Sequence, residues 1–591
     1  MQRSVLFSFC FAGLMLAPAA HAQTQMACTA SAPTPTTMRS SGLTELAGDL
    51  ILTCRGGTPV TAGAFPLVNI SIFFNAAVSS RVTVPASGAS PALTEAVLIV
   101  DSPASADQKP CLTPAACLNT DNIFQGRYDS FNSLSWLNIP VNPPGPNADR
   151  VLRIRNIRMN ATSIPSGGGP ALAFVSISGA QVSSTLTNPQ QTLGTVRTGV
   201  SYEIRSATDG ALTGPLSLTA CNAYNIDLAG NAAAGAYNSP GGRTMLVKFT
   251  EGFANAFKRR NLATTVAEPQ IAFSQDNPIV YYNTESGFNN ATFPVVNGWN
   301  RVGVGDSGTI LRAVFTNIPA GARVYVGTRE LATGSTLDGA GVPTTKARLT
   351  STPGAPFTAL AADNQIDGGL KLVPPSGEVS WEVLETDVNS GEAVAFAVVI
   401  AYGNNPQPAA NTISTSGGFG PQSSAATATA GDSIPRYLGL TGPIPMVSLN
   451  VCRTTLLFQF ITNQAGFDTG VSVSNTSRDT LTTSPQTGRC TATFFPTPFN
   501  ATTQAQFPVL SSPTLAGGEQ WTFTVSGTRA GFQGYMMVGC DFQFAHGYAF
   551  ISDFGSKNLA QGYQALVIPD RARLADPMTT AGAGSGEQLI H

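Results

Sequence analysis

The sequence predicts an all-β protein built from two to four β-sandwich domains of Ig-like or Greek-key type in tandem, with one short helix in the middle region. Three observations carry this. Charged residues make up only 11% of the chain, whereas glycine and proline number 59 and 41 among 591 residues. Long helices require periodic runs of Ala, Leu, Glu and Lys, and such runs are scarce. Short stretches of alternating apolar and polar residues, divided by Gly, Pro, Asn, Ser and Thr, recur instead, which is how stacked antiparallel sheets are written. A hydrophobic content of 42% suffices for packed cores and argues against global disorder.

The chain opens with a basic residue, Arg3, an apolar run, Val5–Leu16, and then Ala20-His21-Ala22. This is the layout of a secretory signal peptide over residues 1–22, with cleavage expected before Gln23. Twelve apolar residues are too few to cross about 30 Å of hydrocarbon as a helix. No later stretch is long and apolar enough to span as one. The predicted location is outside the cytoplasm, secreted or at the cell surface. Without residues 1–22, 31 basic side chains face 34 acidic ones. Nucleic acid demands concentrated positive charge, so it is not an expected partner.

Residues 23–215 read as an N-terminal sandwich of about seven strands. Thr44–Cys54, Val68–Phe74, Glu95–Val100, Val151–Arg158, Ala171–Val182 and Val196–Ile204 alternate. Ser102–Ala148 is predicted as a long surface link. In Val151–Arg158, Leu152 and Ile154 are expected inside and Arg153 and Arg155 outside, by default as a solvated strand face, with a contact for an anionic polymer as the alternative. Residues 216–440 form a middle β-rich region of one or two domains, with strands at Arg243–Thr250, Thr309–Thr316, Ala322–Gly327, Lys346–Thr350, Val379–Val388 and Ala393–Tyr402. Glu251–Leu262 is its helix candidate, with Phe253 and Phe257 four apart and Lys258-Arg259-Arg260 at the C-terminal end, where cations complement the helix dipole. The region ends in a Gly/Pro/Ser/Thr-rich linker, Asn404–Asp432.

Residues 446–575 form the C-terminal sandwich, and 576–591 a disordered tail. Within the sandwich, Phe532–Phe554 alternates with period two. Met536, Val538, Cys540, Phe542, Phe544, His546, Tyr548 and Phe550 are expected to share the core side.

Eight of the nine cysteines follow the signal segment. An even number in an exported chain predicts disulfides. Spacing pairs Cys28 with Cys54 and Cys111 with Cys117. Inward strand faces pair Cys490 with Cys540, and Cys221 and Cys452 remain for each other. Zinc would need Cys-x-x-Cys or histidine partners at ligand spacing, and neither motif is present. No cofactor is predicted.

Several motifs invite catalytic readings. Gly303-Val-Gly-Asp-Ser-Gly308 fits a dinucleotide loop, but a strand rather than a helix is expected to follow, so a tight turn is the better reading. Its Gly-Asp-Ser-Gly resembles a serine-protease nucleophile loop, yet no histidine base precedes it in the mature chain. Asp306-Ser-Gly and Asp468-Thr-Gly resemble the paired loops of aspartic proteases, in which two carboxylates share one proton. Asp306 and Asp468 are therefore the candidates for a carboxylate hydrolase, although Asp468 also suits a turn. His546 is expected as a hydrogen-bonded, partly buried histidine. For carbohydrate binding, Trp299 is the candidate platform on loop context, with Trp136 behind it, whereas Trp521 alternates with Phe523 and Val525 and is expected in the core.

The segment Leu456-Leu-Phe-Gln-Phe-Ile-Thr-Asn-Gln-Ala-Gly-Phe-Asp-Thr-Gly-Val-Ser-Val-Ser-Asn475 is similar to the Leu-x-Phe-Pro…Asn-x-x-Gly-Phe-x-Thr…Asn pattern of accessory β-sandwich modules in secreted bacterial proteins. It departs from that pattern at Gln459. Thr44–Cys54, Val247–Arg260 and Tyr281–Phe288 resemble parts of large uncharacterised exported β-rich proteins of soil bacteria. The resemblance implies fold and export, and no activity. The functional expectation is a non-enzymatic cell-surface or extracellular structural or adhesive protein that binds a polysaccharide, other surface proteins or itself. A secreted carbohydrate-binding protein and a carboxylate-based hydrolase are the alternatives.

Overall fold

A computed structural model describes residues 26–568 except 180–183, 221–222, 226–236, 238, 263–273, 332–345, 358–368, 404–407, 428, 430, 481–484 and 497–508. The regular secondary structure of the described chain is almost all strand, arranged in several sheets around three main apolar cores. The predicted signal segment and tail lie outside the described residues.

The first core, drawn from residues 26–196, is enclosed by one twelve-stranded sheet, and residues along its whole length (Met26, Leu52, Ile70, Leu98, Ile154, Val175 and Val196) meet in a single cluster. The expected surface link is part of this sheet. Ile123–Ser130 and Ser133–Pro140 form a hairpin within it, and Trp136 is fully buried with its indole N–H on Phe124 O at 3.0 Å. Its prolines and cysteine loop flank these strands, and composition over the whole stretch hid the alternation inside it.

The second core lies between a five-stranded and a six-stranded sheet. Val247, Phe249, Phe396 and Val398 from one face Leu311, Trp381, Ile413 and Val447 from the other. The expected strand at Val196–Ile204 is two. Gln190–Arg197 stays in the first sheet, while Val200–Ser206 pairs with Met245–Glu251 in the second core. The chain therefore enters this core before residue 215.

The helix expected at Glu251–Leu262 does not form. Asn255 has φ 68°, and the Glu251 carboxylate accepts from Phe257 N at 2.5 Å. Lys258 and Thr309 exchange bonds, Lys258 N to Thr309 Oγ1 and Thr309 N to Lys258 O. Phe257 is buried edge-on to Phe419. Tertiary contacts thus outweigh the spacing signal that suggested a helix.

Part of the expected linker is a strand. Asn411–Gly420 is an interior strand of the six-stranded sheet, between Ile310–Thr316 and Thr441–Asn450. Its Gly417 is required by close approach, because a Cβ there would lie 2.2 Å from the Tyr202 ring.

Residues 454–568 form the C-terminal sandwich of a five-stranded and a four-stranded sheet over Leu456, Phe458, Val473, Met536 and Val538. Three predicted disulfides are present, Cys28–Cys54, Cys111–Cys117 and Cys490–Cys540. The first and third link residues paired directly across antiparallel strands. Cys452 is disulfide-bonded, and its expected partner Cys221 lies outside the described residues.

Candidate functional site

The two carboxylates expected to form a hydrolytic dyad serve separate clusters. Asp306 pairs with the buried Arg81 and accepts from Ile434 N at 2.9 Å. Asp468, at the start of the Asp468–Asn475 strand, accepts from Thr469 N at 2.8 Å and Ser526 N at 2.9 Å, and from the Ser526 hydroxyl. It fixes the Val525–Thr528 turn, the role that turn chemistry gives an aspartate. A shared-proton pair needs the two carboxyls in hydrogen-bond reach, and Asp306 and Asp468 belong to different cores.

Trp299 is not a surface platform. It is 1% exposed and packs with Phe288, Phe293 and Val302 against Val97, Ile99 and Ile123 of the first sheet. Loop context suggested exposure, but this loop is pressed onto a sheet. Trp136 and Trp521 are buried as well. Arg153 and Arg155 both turn to Asp49, at 3.0 and 2.9 Å, and Arg155 lies over the Tyr282 ring, so they present no free cationic strip. Cys111, Cys117 and Asp121 cluster, but the two sulfurs are bonded to each other and Asp121 accepts from Leu118 N. That removes the thiolates a metal would need.

The most concentrated charge in the described chain lies between the first two cores. Arg39 donates to Glu45 at 2.9 Å, to Glu285 at 2.7 and 3.0 Å, to Thr309 Oγ1 at 3.0 Å and to Ala256 O at 3.1 Å. Its guanidinium also lies over the Phe419 and Tyr437 rings. Nearby, Arg158 pairs with Glu95 at 3.0 Å and donates to Glu285 O. Burial opposes the Arg39 charge, but Glu285 and Glu45 outweigh it and raise its pKa further above the ordinary range. Burial likewise raises the Glu285 carboxyl, yet Arg39 overrides this and holds it below its usual value. The Lys258 ammonium is lowered by burial and then by repulsion from Arg39. All these side chains are at most 3% exposed, and their charges answer one another. A buried network of this kind fixes one geometry between elements rather than adding much net stability. It is a weld between modules, closed to substrate.

An open groove of about 640 Å³ lies at one end of the second core, lined by Phe315, Pro319, Arg323 and Pro374, and a second open face lies on the C-terminal module. Met536, Val538 and Cys540 are buried as expected, and so is Phe542. The alternation then changes phase. Phe544 adopts φ 61° in the turn, and the strand resumes at Ala545 with Ala545, Gly547 and Ala549 inside and His546, Tyr548 and Phe550 outside. The interior dictates this choice. A Cβ on Gly547 would lie 2.6 Å from Phe458 Cζ and 3.1 Å from Leu456 Cδ1, so the core side of this strand holds only small residues. The large aromatics therefore face solvent, with Tyr548 46% and Phe550 45% exposed. His546 is exposed too, its Nδ1 2.9 Å from Thr476 Oγ1, which corrects its expected place on the core side.

Across the outer face of the four-stranded sheet, Gly470 pairs with Phe550 and Thr524, and Ser472 with Tyr548 and Thr522. These residues, with Phe523, line a shallow open groove of about 340 Å³ that contains no charged side chain. Gly470 is its floor, and a Cβ there would meet only Phe550 O, at 3.9 Å. Sequence periodicity could not locate this face, because the phase change occurs in the turn at Gln543-Phe544.

No protein-family model matches the chain, and no curated protein matches it. Solved structures with similarity include the serine-rich repeat adhesion glycoprotein Srr1 of Streptococcus agalactiae, at 8% identity and TM-score 0.14, covering 62% of this chain and 95% of that one. The T6 backbone pilin of serotype M6 Streptococcus pyogenes aligns at 6% identity and TM-score 0.18, over 92% of this chain and 79% of that one. A marsupial T cell receptor aligns at 6% identity and TM-score 0.15, over 92% and 99%. At TM-scores this low the likenesses carry no argument about function.

Proposed function

We propose that the protein is a non-enzymatic, exported structural or adhesive component of the cell surface or extracellular matrix, whose C-terminal module supplies the adhesive face. The observation that carries this is the outward placement of Tyr548 and Phe550 on a sheet whose inward positions are small. A pair of half-exposed aromatics on a regular strand, beside a groove, is the kind of surface that recognition uses. The disulfides suit an oxidising compartment. The bonds of Arg39 to Glu285 and Thr309 and of Arg158 to Glu285 O hold the first two cores in one fixed arrangement, as a spacing element needs. The test is retention of the labelled mature chain on insoluble extracellular material from the producing cells. Retention is expected for the wild type and is expected to fall about tenfold or more in the Tyr548→Ser/Phe550→Ser double variant, at unchanged thermal midpoint. Equal retention of the folded double variant would overturn the reading.

A further inference from the structure

Resting on that adhesive reading, we infer that the groove over Gly470 is a subsite for a neutral polysaccharide. The polar side chains of its outer face are hydroxyls, from Ser472, Thr522 and Thr524, beside the Tyr548 and Phe550 rings, while Val471 and Phe523 turn toward the core. Hydroxyls both donate and accept, and so match the hydroxyls of a sugar ring without selecting a charge. Aromatic faces carry negative quadrupoles that attract the weakly positive C–H groups of a ring lying flat on them. Tyr548 and Phe550 stand two residues apart on one strand, about 7 Å along it, and face the same way. A polymer lying along the strand would meet one ring and then the other.

Electrostatics narrows the class. An anionic polymer would call for lysine or arginine at the lining, and a cationic one for free carboxylates. The groove offers neither, and Asp468, two residues before Gly470, is engaged by Ser526 and Thr469. The groove is open along its length and shallow, which suits an extended chain better than an enclosed small molecule. The glycine floor leaves room that any side chain would fill, and the structure gives no packing reason for it, since a Cβ would touch only one carbonyl at ordinary van der Waals distance.

The experiment measures binding of the full mature chain to soluble neutral glucan and mannan, and to a polyuronate and a sulfated glycan, by affinity electrophoresis and calorimetry at low and high salt. Neutral polymers should bind with little salt dependence. Gly470→Val, which fills the floor, and Tyr548→Ser should each weaken that binding about tenfold or more, with the circular dichroism and thermal midpoint of the wild type. Binding confined to the polyanions, or abolished by salt, would overturn the ligand class. So would failure to bind any glycan while retention on extracellular material still depends on Tyr548 and Phe550, and in that case the adhesive face would stand. Neutral-glycan binding untouched by both substitutions would overturn the placement of the subsite.

Discussion

Glu251 shows how one buried carboxyl couples this fold to pH. Burial pushes its pKa up to about 7, helped by the neighbouring Glu392 charge and opposed by bonds from the backbone N–H groups of Phe257 and Glu392. The folded value lies above the unfolded one, near 4.5. The folded state therefore holds this proton more tightly. The associated stability is fully present below about pH 4.5 and is lost as pH rises to about 7, with no further change from this group above that. Glu251→Gln should gain stability relative to the wild type as pH rises from about 5 to about 8, measured as the difference in urea midpoints across that range. A difference that does not vary with pH would show that the carboxyl is not held protonated. No feature of the sequence announced this residue, because its environment comes from Phe257 and Glu392, and Glu392 is distant in the chain. The cysteines were more legible. Six of them are paired by spacing or by strand face, and Cys490 and Cys540 meet across paired strands as their alternation required. Trp299 was misjudged because a residue's loop context says nothing about what the loop is pressed against.

At the scale of elements, strands with strict alternation were legible and their surroundings were not. Ala322–Gly327 and Ala393–Tyr402 fall where the pattern put them. Asn411–Gly420 was hidden by composition, since its glycines look like linker and instead make room for neighbours. Gly417 faces the Tyr202 ring, whose hydroxyl bonds Thr415 Oγ1 at 2.7 Å and whose other side packs on Phe249. Gly417→Ala forces a Cβ into that ring and should cost about 1–3 kcal/mol in denaturant unfolding. Gly539→Ala, where an added Cβ meets nothing within 4 Å, is the matched control and should be near neutral. Equal effects of the two would mean that backbone entropy, not packing, decides at Gly417. The reversal at Ala545–Ser552 belongs to this scale too. Period two fixes which residues share a face, but a single turn residue with φ 61° decides which of the two faces meets the core.

The whole molecule divides unevenly. The first and second cores are joined by Arg39, Arg158 and Asp306, by Asn156 bonding both Phe288 N and Phe288 O, and by Trp299 packed on the first sheet. Among the described elements, none of the C-terminal module packs extensively on an element of the other two cores. Covalent neighbours and the Cys452 disulfide lie at the junction. Sequence spacing suggested separate modules in a row, but a network drawn from residues as far apart as Arg39, Glu285 and Tyr437 makes the first two interdependent. Calorimetry of the chain should therefore resolve two transitions, a large one for the fused pair and a small one for residues 454–568. Arg39→Met leaves Glu45 and Glu285 buried without their common partner, and should destabilise the large unit by about 3–5 kcal/mol. The small transition should not move. Separate melting of the first two cores, or a shift of both transitions by Arg39→Met, would show that the charge network does not define the cooperative unit.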